Sequence, residues 1–326
     1  MNIGIVGTGM IAKELLSVLA DRKDILCTAL CGTERSVKVV EELCEKYEIS
    51  KGMTDYEEFL QEQIDAVYLA IPNHLHFSFC KKALESGKNV IVEKPLAASE
   101  IESEELAKLA KERQLFLYEA ITTRYLESYK KVKELLPKIG RIRLVNCNFS
   151  QYSSRYDRFL TGEKIPVFDA KQAGGALMDL GVYNLHYVMG LFGEPEDSVY
   201  YADMENGVDT SGMAVLTYSD FHAVCIAAKN SKAPFSYCIQ GTKGYISQQT
   251  PANSCGAVKL YLNDGTEEVY DFNEGKHRMC AEFETFERQI YEKDYVSCYQ
   301  ILEESLAVSR VMTKLRWSAG IQWEWE

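Results

Sequence analysis

The sequence has no excess of positive charge: 36 Lys and Arg stand against 48 Asp and Glu, a formal charge of −12. Affinity for a phosphate backbone comes largely from clustered cations, so no nucleic-acid partner is expected. A small anionic ligand is not excluded, because it needs only a few local donors. Long apolar runs are missing too. A stretch such as Ala66 to Ile71 falls far short of a membrane span, so no membrane partner is expected either. The opening MNIGIVGTG has neither a basic segment nor a small-residue cleavage site, which argues against a secretory signal. The 10 cysteines include no C-x-x-C pair, and Cys27, Cys31, Cys44 and Cys80 fall in apolar or helical patterns. Reduced, partly buried thiols in a cytoplasmic protein are therefore expected rather than disulfides. Only 5 His residues occur, none close to a cysteine pair, so no metal site is expected.

What is present is ordinary in amount and informative in order. The 326 residues suggest two domains at about 150 residues each. A hydrophobic fraction of 46% with 26% charged residues suits a folded globular chain and argues against a disordered or fibrous one. Up to about residue 120, strand-like and helix-like segments alternate. Strands are predicted over 2–6, 25–31, 66–70, 89–92 and 115–118, and helices over 10–20, 36–47, 74–86 and from a Ser99/Glu102 capping box to about 113. Repeated βα units of this length imply a doubly wound parallel sheet with right-handed crossovers. Beyond residue 120 the pattern changes. A helix near 126–136, a strand over 141–149 and a helix over 176–192 precede several turn-separated strands between 198 and 272, which predict a mostly antiparallel open sheet. The 151–173 stretch is polar and long for a connection, so a functional lid or a mobile segment is expected there. Helices near 278–291 and 299–317 follow, and Ile321, Trp323 and Trp325 alternate as in a terminal strand. The predicted fold class is thus α/β followed by α+β, with domains at 1–120 and 121–326.

Gly7-Thr8-Gly9-Met10-Ile11-Ala12 lies directly between the first strand and the first helix. It is the G-x-G-x-x-A form of the dinucleotide-binding turn. Gly7 serves the tight turn and Gly9 lets backbone approach a pyrophosphate, which the helix N-terminus then meets with free N–H groups and its dipole. The second strand ends in Leu30-Cys31-Gly32-Thr33-Glu34-Arg35, with no acid at the tip itself. Thr33 and Arg35 suit the 2′-phosphate of NADP, whereas Glu34 could instead take the ribose hydroxyl of NAD, so NADP is the preferred cofactor and NAD the alternative.

Ligands of such sheets bind outside the carboxyl ends of the strands. Two further turns belong there: Ile71-Pro72-Asn73-His74-Leu75-His76, and Glu93-Lys94-Pro95. Lys94 is placed where a nicotinamide would lie. The histidines either touch the cofactor or cap and pack the following helix. In the second half, Gly174-Gly175 leads into a helix in which Asp179, Tyr183 and His186 recur at i, i+4 and i+7, on one face. A polar stripe on an apolar helix suits a cleft, or else a satisfied polar network.

Taken together these strings resemble the Gfo/Idh/MocA oxidoreductases, the glucose–fructose oxidoreductase and inositol dehydrogenase family. The resemblance rests on the Gly7-to-Ala12 turn, Pro72-Asn73 with His76, Glu93-Lys94-Pro95, and Gly174-Gly175 followed by Asp179. Glu119-Ala120, Thr123-Arg124-Tyr125 and Tyr183 resemble the branch holding dihydrodiol dehydrogenases and glucose–fructose oxidoreductase. Thr122 departs from it, since dihydrodiol dehydrogenases commonly carry Trp there. The resemblance implies hydride transfer between NAD(P) and a carbonyl or secondary alcohol of a sugar, polyol or related small molecule, and a homodimer formed through the open sheet. It implies cofactor contacts from Gly7, Thr8, Gly9, Met10, Ile11, Thr33, Arg35, Ile71, Pro72, Asn73, His76, Glu93 and Lys94. Lys94 fits the proton donor that a developing alkoxide requires, with Tyr183 as the alternative donor and Asp179 orienting Lys94 or a substrate hydroxyl. Arg124, Tyr152, Arg155 and His186 are the substrate-side candidates. A non-catalytic regulatory protein on the same fold, and a glycosidase working through retained NAD, are the competing functions.

Overall fold

The computed structural model describes residues 1–272 and 275–326. The chain divides into two units, Met1–Ala120 with Met279–Leu306, and Ile121–Arg278 with Ala307–Glu326. The segment Met279–Leu306, which the sequence reading placed in the second domain, packs with the first unit.

The first unit holds six parallel strands: β1 (Asn2–Val6), β2 (Leu26–Cys31), β3 (Lys51–Met53), β4 (Ala66–Leu69), β5 (Asn89–Glu93) and β6 (Leu117–Ala120). Their order is β3-β2-β1-β4-β5-β6, a doubly wound sheet as expected. Five helices connect them: α1 (Met10–Leu19), α2 (Val37–Lys46), α3 (Tyr56–Phe59), α4 (His76–Glu85) and α5 (Glu100–Glu112). The apolar run Ala66–Leu69 is fully buried because helices cover both faces of such a sheet. At the start of α5, Ser99 accepts from the Glu102 N–H at 3.4 Å, while the Glu102 carboxylate takes the Ala98 N–H at 3.0 Å.

Two short elements carried no readable period. The three residues of β3 are recruited by pairing with β2, and α3 starts where Asp55 accepts the Glu58 N–H at 2.9 Å. The last strand begins two residues later than predicted. Leu115 is still closing the end of α5, through the Ala110 carbonyl, and pairing with β5 starts only at Leu117.

The second unit opens with α6 (Glu127–Leu135) and β7 (Ile142–Ser150), then α7 (Tyr156–Leu160) and α8 (Val182–Phe192). Seven more strands follow: β8 (Asp197–Glu205), β9 (Val208–Thr217), β10 (His222–Ala228), β11 (Ser236–Gly241), β12 (Gly244–Gln248), β13 (Val258–Leu262) and β14 (Glu267–Tyr270). The eight strands lie in the order β14-β13-β12-β11-β7-β10-β9-β8, antiparallel except for the parallel β7–β10 pair. One face buries Val145, Cys147, Ala223, Cys225, Tyr237 and Ile239. On that face Asn184 of α8 donates to the Ile226 carbonyl and accepts from the Tyr237 hydroxyl, each at 2.8 Å. The opposite face leaves Leu144, Tyr201, Met213 and Tyr245 exposed.

Two helices complete the chain, α9 (Cys280–Glu292) and α10 (Tyr295–Ser318). Phe283 and Phe286 of α9 meet Tyr68 and Tyr118 of the parallel sheet at ring separations of 5.6 and 4.4 Å. The 151–173 stretch is built around its own small core of Phe159, Ile165, Phe168 and Val208. No strand forms at 321–325. Arg316 is buried under the Trp323 ring and binds the Glu326 carboxylate at 2.5 Å, which folds the segment into a turn. The predicted helix 176–192 is also interrupted: Leu177–Gly181 is a π-turn, and regular helix starts only at Val182.

Candidate active site

In the first unit the predicted cofactor residues gather at the carboxyl end of the parallel sheet. Gly7 ends β1 with φ +116°, its N–H donating to the Cys31 carbonyl at 2.8 Å. A Cβ there would lie 2.2 Å from the Ala70 carbonyl oxygen, so only glycine fits between β2 and β4. Gly9 caps α1, and a Cβ on it would meet nothing within 4 Å. The first helical bond runs from Lys13 to the Gly9 carbonyl, so the Met10, Ile11 and Ala12 N–H groups precede the ladder. An open glycine beside three such donors at a helix N-terminus fits a pyrophosphate.

Past β2 the side chains packed against Gly32 leave little room for an acid there. A Cβ on Gly32 would lie 2.5 Å from Val40 and 2.6 Å from the Ser36 hydroxyl. Glu34 is engaged by the Thr54 hydroxyl at 2.6 Å, and the Thr33 N–H by the Ser36 hydroxyl at 2.8 Å. Arg35 is exposed and forms no ion pair among the described residues. That distribution favours a 2′-phosphate over a bare ribose hydroxyl.

His76 packs between the two turns, one of the two roles its place in the sequence suggests. Its ring is fully buried and lies between two carbonyls, Nδ1 at 2.7 Å from Pro95 and Nε2 at 3.0 Å from Ile71. It therefore clamps the turn after β4 to the turn after β5. Burial pushes its pKa down, with nearby Lys94 contributing, while the two carbonyls favour the protonated ring. Ile71, Pro72 and Asn73 stay half-buried on the clamped turn. Lys94 is likewise half-buried, joined to Pro95 by a cis peptide bond. Glu93 faces inward and accepts from the Tyr68 hydroxyl, which makes it a support of the Lys94 turn.

In the second unit the predicted polar stripe is distributed differently. Asp179 lies in the π-turn, whereas Tyr183 and His186 follow it in the regular helix, three positions apart on one face. Asp179 pairs with Lys229, at the end of β10. Arg124 meets His186 Nδ1 at 3.1 Å. Tyr183 is buried, its ring 5.8 Å from that of Phe149. The loop candidates are engaged locally or lie at the surface. Tyr152 donates to Asp157 at 2.6 Å, and the exposed Arg155 starts α7.

Sequence reasoning missed three residues under this stripe. Asp209 is buried at the start of β9, and its Oδ2 accepts both the Leu177 N–H and the Tyr200 hydroxyl at 2.8 Å. A Cβ on Gly175 (φ +125°) would lie 1.9 Å from Asp209 Oδ1, which explains the second glycine of the Gly174-Gly175 pair. Lys229 is the third. The visible signal was a lysine ending the apolar β10 run, too common a pattern to single out.

Burial raises the Asp209 pKa from 3.8 to about 6. The folded protein then holds this proton where the unfolded chain has lost it. The stabilisation is complete below about pH 4 and disappears as pH rises through about 6, by on the order of 2–3 kcal/mol. The Tm difference between wild type and Asp209→Asn, followed from pH 4 to 7, is expected to change by this contribution. A constant difference would show that Asp209 titrates alike in both states.

The comparisons agree with this architecture. A family model described as an oxidoreductase family with an NAD-binding Rossmann fold matches residues 1–120, and a Gfo/Idh/MocA C-terminal domain matches 129–247. The chain is 34% identical over 324 residues to a scyllo-inositol 2-dehydrogenase (NADP(+)) of Bacillus subtilis, with 98% of each covered. It is 29% identical to the mouse trans-1,2-dihydrobenzene-1,2-diol dehydrogenase, over 76% of this chain and 74% of that protein. Among solved structures, the 3-ketoreductase KijD10 from Actinomadura kijaniata, in complex with NADP and TDP-benzene, superimposes with a TM-score of 0.83 at 23% identity, over 98% of this chain and 97% of that one. This last likeness bears on the fold alone.

Proposed function

We propose, from the premise that the chain belongs to the Gfo/Idh/MocA oxidoreductase family, that it interconverts a polyol or sugar and the corresponding ketone with NADP(H). The observation that carries this reading is Lys94. It stands at the carboxyl end of β5, in the same parallel sheet whose β1–α1 turn makes the open cradle. When bound, the nicotinamide supplies or accepts the hydride. The protein must then move one proton: Lys94 takes it from the alcohol during oxidation and returns it to the developing alkoxide during reduction. Asp179 accepts a hydrogen bond from a second hydroxyl of the substrate, and Tyr183 is the alternative proton donor. Thr33 and Arg35 take the 2′-phosphate.

Because a relative named for scyllo-inositol is 34% identical over nearly the whole chain, scyllo-inositol with NADP+ is the first substrate to test. Steady-state turnover is expected, and no turnover of scyllo-inositol or of an aldose, ketose and dicarbonyl panel would reject an enzymatic role. Arg35→Ala is expected to weaken NADP+ binding about 10- to 100-fold and leave NAD+ unaffected, measured as Kd for both, because it removes a charge-assisted contact to the 2′-phosphate alone.

The exposed face of the eight-stranded sheet supports a homodimer. In register, Tyr201 and Met213 pair across β8–β9, and Leu144, Gln240 and Tyr245 continue across β7, β11 and β12. An apolar sheet face of this extent needs a cover. Light scattering is expected to give twice the chain mass, and a monomer would reject this assembly. Ten cysteines without a C-x-x-C pair suit a cytoplasmic location. No described helix is long and apolar enough to cross a membrane.

A further inference from the structure

Glu34 opens the short 3₁₀ turn Glu34–Ser36 that follows β2. An acid in this region of a dinucleotide-binding sheet ordinarily takes the ribose 2′-hydroxyl, which favours NAD and opposes the 2′-phosphate of NADP. The backbone beneath Glu34 is fixed by a reciprocal box. The Thr33 N–H donates to the Ser36 hydroxyl at 2.8 Å, and the Ser36 N–H donates to the Thr33 carbonyl, also at 2.8 Å. Only the side chain of Glu34 is left to take one direction or another.

Thr54 sets that direction. It lies between two anchored points. The Met53 carbonyl, at the end of β3, accepts the Gly32 N–H at 2.9 Å, and Asp55 caps α3 by accepting the Glu58 N–H at 2.9 Å. The half-buried Thr54 hydroxyl therefore has a fixed place, from which it donates to Glu34 Oε1 at 2.6 Å. No other hydrogen bond or ion pair of that carboxylate is present among the described residues. The strand order runs β3-β2-β1, so β3 and the β1–α1 cradle lie on opposite sides of β2. The bond from Thr54 draws the carboxylate towards the β3 edge, away from the side of the cradle. The neighbouring Arg35 stays exposed.

We propose that Thr54 is a positioning residue for cofactor choice: its hydroxyl holds the Glu34 carboxylate off the ribose site and so leaves Thr33 and Arg35 to take a 2′-phosphate. This rests on the reading above, in which the cradle binds NADP(H), and adds the residue that keeps a nearby acid from reversing that preference. Thr54 itself touches no cofactor, so its removal acts through Glu34. The released carboxylate repels a 2′-phosphate and accepts the 2′-hydroxyl of NAD. The two affinities then move in opposite directions, whereas loss of a merely structural contact moves both alike.

The test is the Kd of NADP+ and of NAD+, by titration of wild type, Thr54→Val, Thr54→Ser, Glu34→Gln and the Thr54→Val/Glu34→Gln double variant. Binding is read instead of turnover, so the result is independent of the substrate. Thr54→Val keeps the shape of the side chain and deletes the donor. It is expected to weaken NADP+ about 5-fold and tighten NAD+ about 2-fold, a fall of about 10-fold in preference, the scale of one hydrogen bond to a charged group. Thr54→Ser keeps the hydroxyl and is expected to retain the wild-type preference. In the Glu34→Gln background, Thr54→Val is expected to change the preference by less than about twofold, because the charge it would release is gone. An unchanged preference in Thr54→Val, or a shift that persists in the double variant, would overturn the inference and leave NADP(H) binding standing. A Thr54→Ser variant that shifts as far as Thr54→Val would also overturn it, since the donor would then not be the cause. A wild type that binds NAD+ more tightly than NADP+, or binds neither, would overturn both. If Thr54→Val does not fold, Thr54→Ala, which also lacks the donor, is read by the same criteria.

Discussion

Replacing Lys94 with methionine is expected to lower kcat for the proposed scyllo-inositol oxidation about 10³-fold and to leave the NADP+ Kd within about twofold. The size follows from the chemistry of the step. Hydride departure without proton removal leaves a protonated carbonyl, and hydride arrival without proton delivery leaves an alkoxide. A positioned acid–base group typically contributes 10²- to 10⁴-fold to such a step. Methionine keeps the length and apolar stem of lysine but cannot carry the proton. The fold around it should persist, because the turn is held from beneath: His76 binds the Pro95 carbonyl at 2.7 Å, and Glu119 takes the Leu96 N–H at 3.1 Å. Stopped-flow NADPH formation separates the chemical step from product release. If the variant retains wild-type kcat, the proton passes through another group, and Tyr183→Phe would then be expected to show the loss instead.

The second large effect lies in the cradle. Gly7→Ala is expected to destabilise the protein by about 3 kcal/mol and to abolish measurable NADP+ binding. Two penalties act together. The φ of +116° is strained for any residue with a side chain, and the added methyl would stand 2.2 Å from the Ala70 oxygen. That oxygen cannot step aside cheaply, because the Ala70 N–H is tied to the Val6 carbonyl at 2.9 Å and so to β1 itself. Any shift carries the start of α1 with it, and with α1 the N–H groups that would meet the pyrophosphate. Denaturant unfolding and a cofactor titration measure the two losses independently. Gly9→Ala is the natural comparison, since a Cβ there meets only open space. It should cost affinity through the ligand's own approach and cost little in stability. Equal destabilisation by both variants would refute the assignment of strain to Gly7.

Much of the first unit was readable in order along the chain because each βα unit announces itself locally. A β-branched run, a glycine turn and a helical stripe are short-range features. The position of Lys94 was readable for the same reason, as the residue directly after a strand of the parallel sheet. What misled was any inference that needed a uniform helix. Treating 176–192 as regular ran one even stripe through Asp179, Tyr183 and His186, whereas Asp179 lies in the π-turn, where it pairs with Lys229, and only Tyr183 and His186 share the regular helix. The alternation of Ile321, Trp323 and Trp325 suggested a strand, but no neighbouring strand pairs with it, and the buried Arg316 draws Glu326 back into a turn.

By itself, then, the sequence determined the class of fold, the cofactor turn and the place of Lys94 directly after a strand, since these depend on periodicity and on glycines whose local conformation leaves no alternative. Only the tertiary structure decided that His76 is a buried clamp between two turns, that Asp209 explains Gly175, and that Lys229 stands behind Asp179. Each of these joins residues from 19 to 50 positions apart. Such pairings are set by strand order and by the desolvation of buried charge, and neither leaves a mark on the residues nearby in the chain.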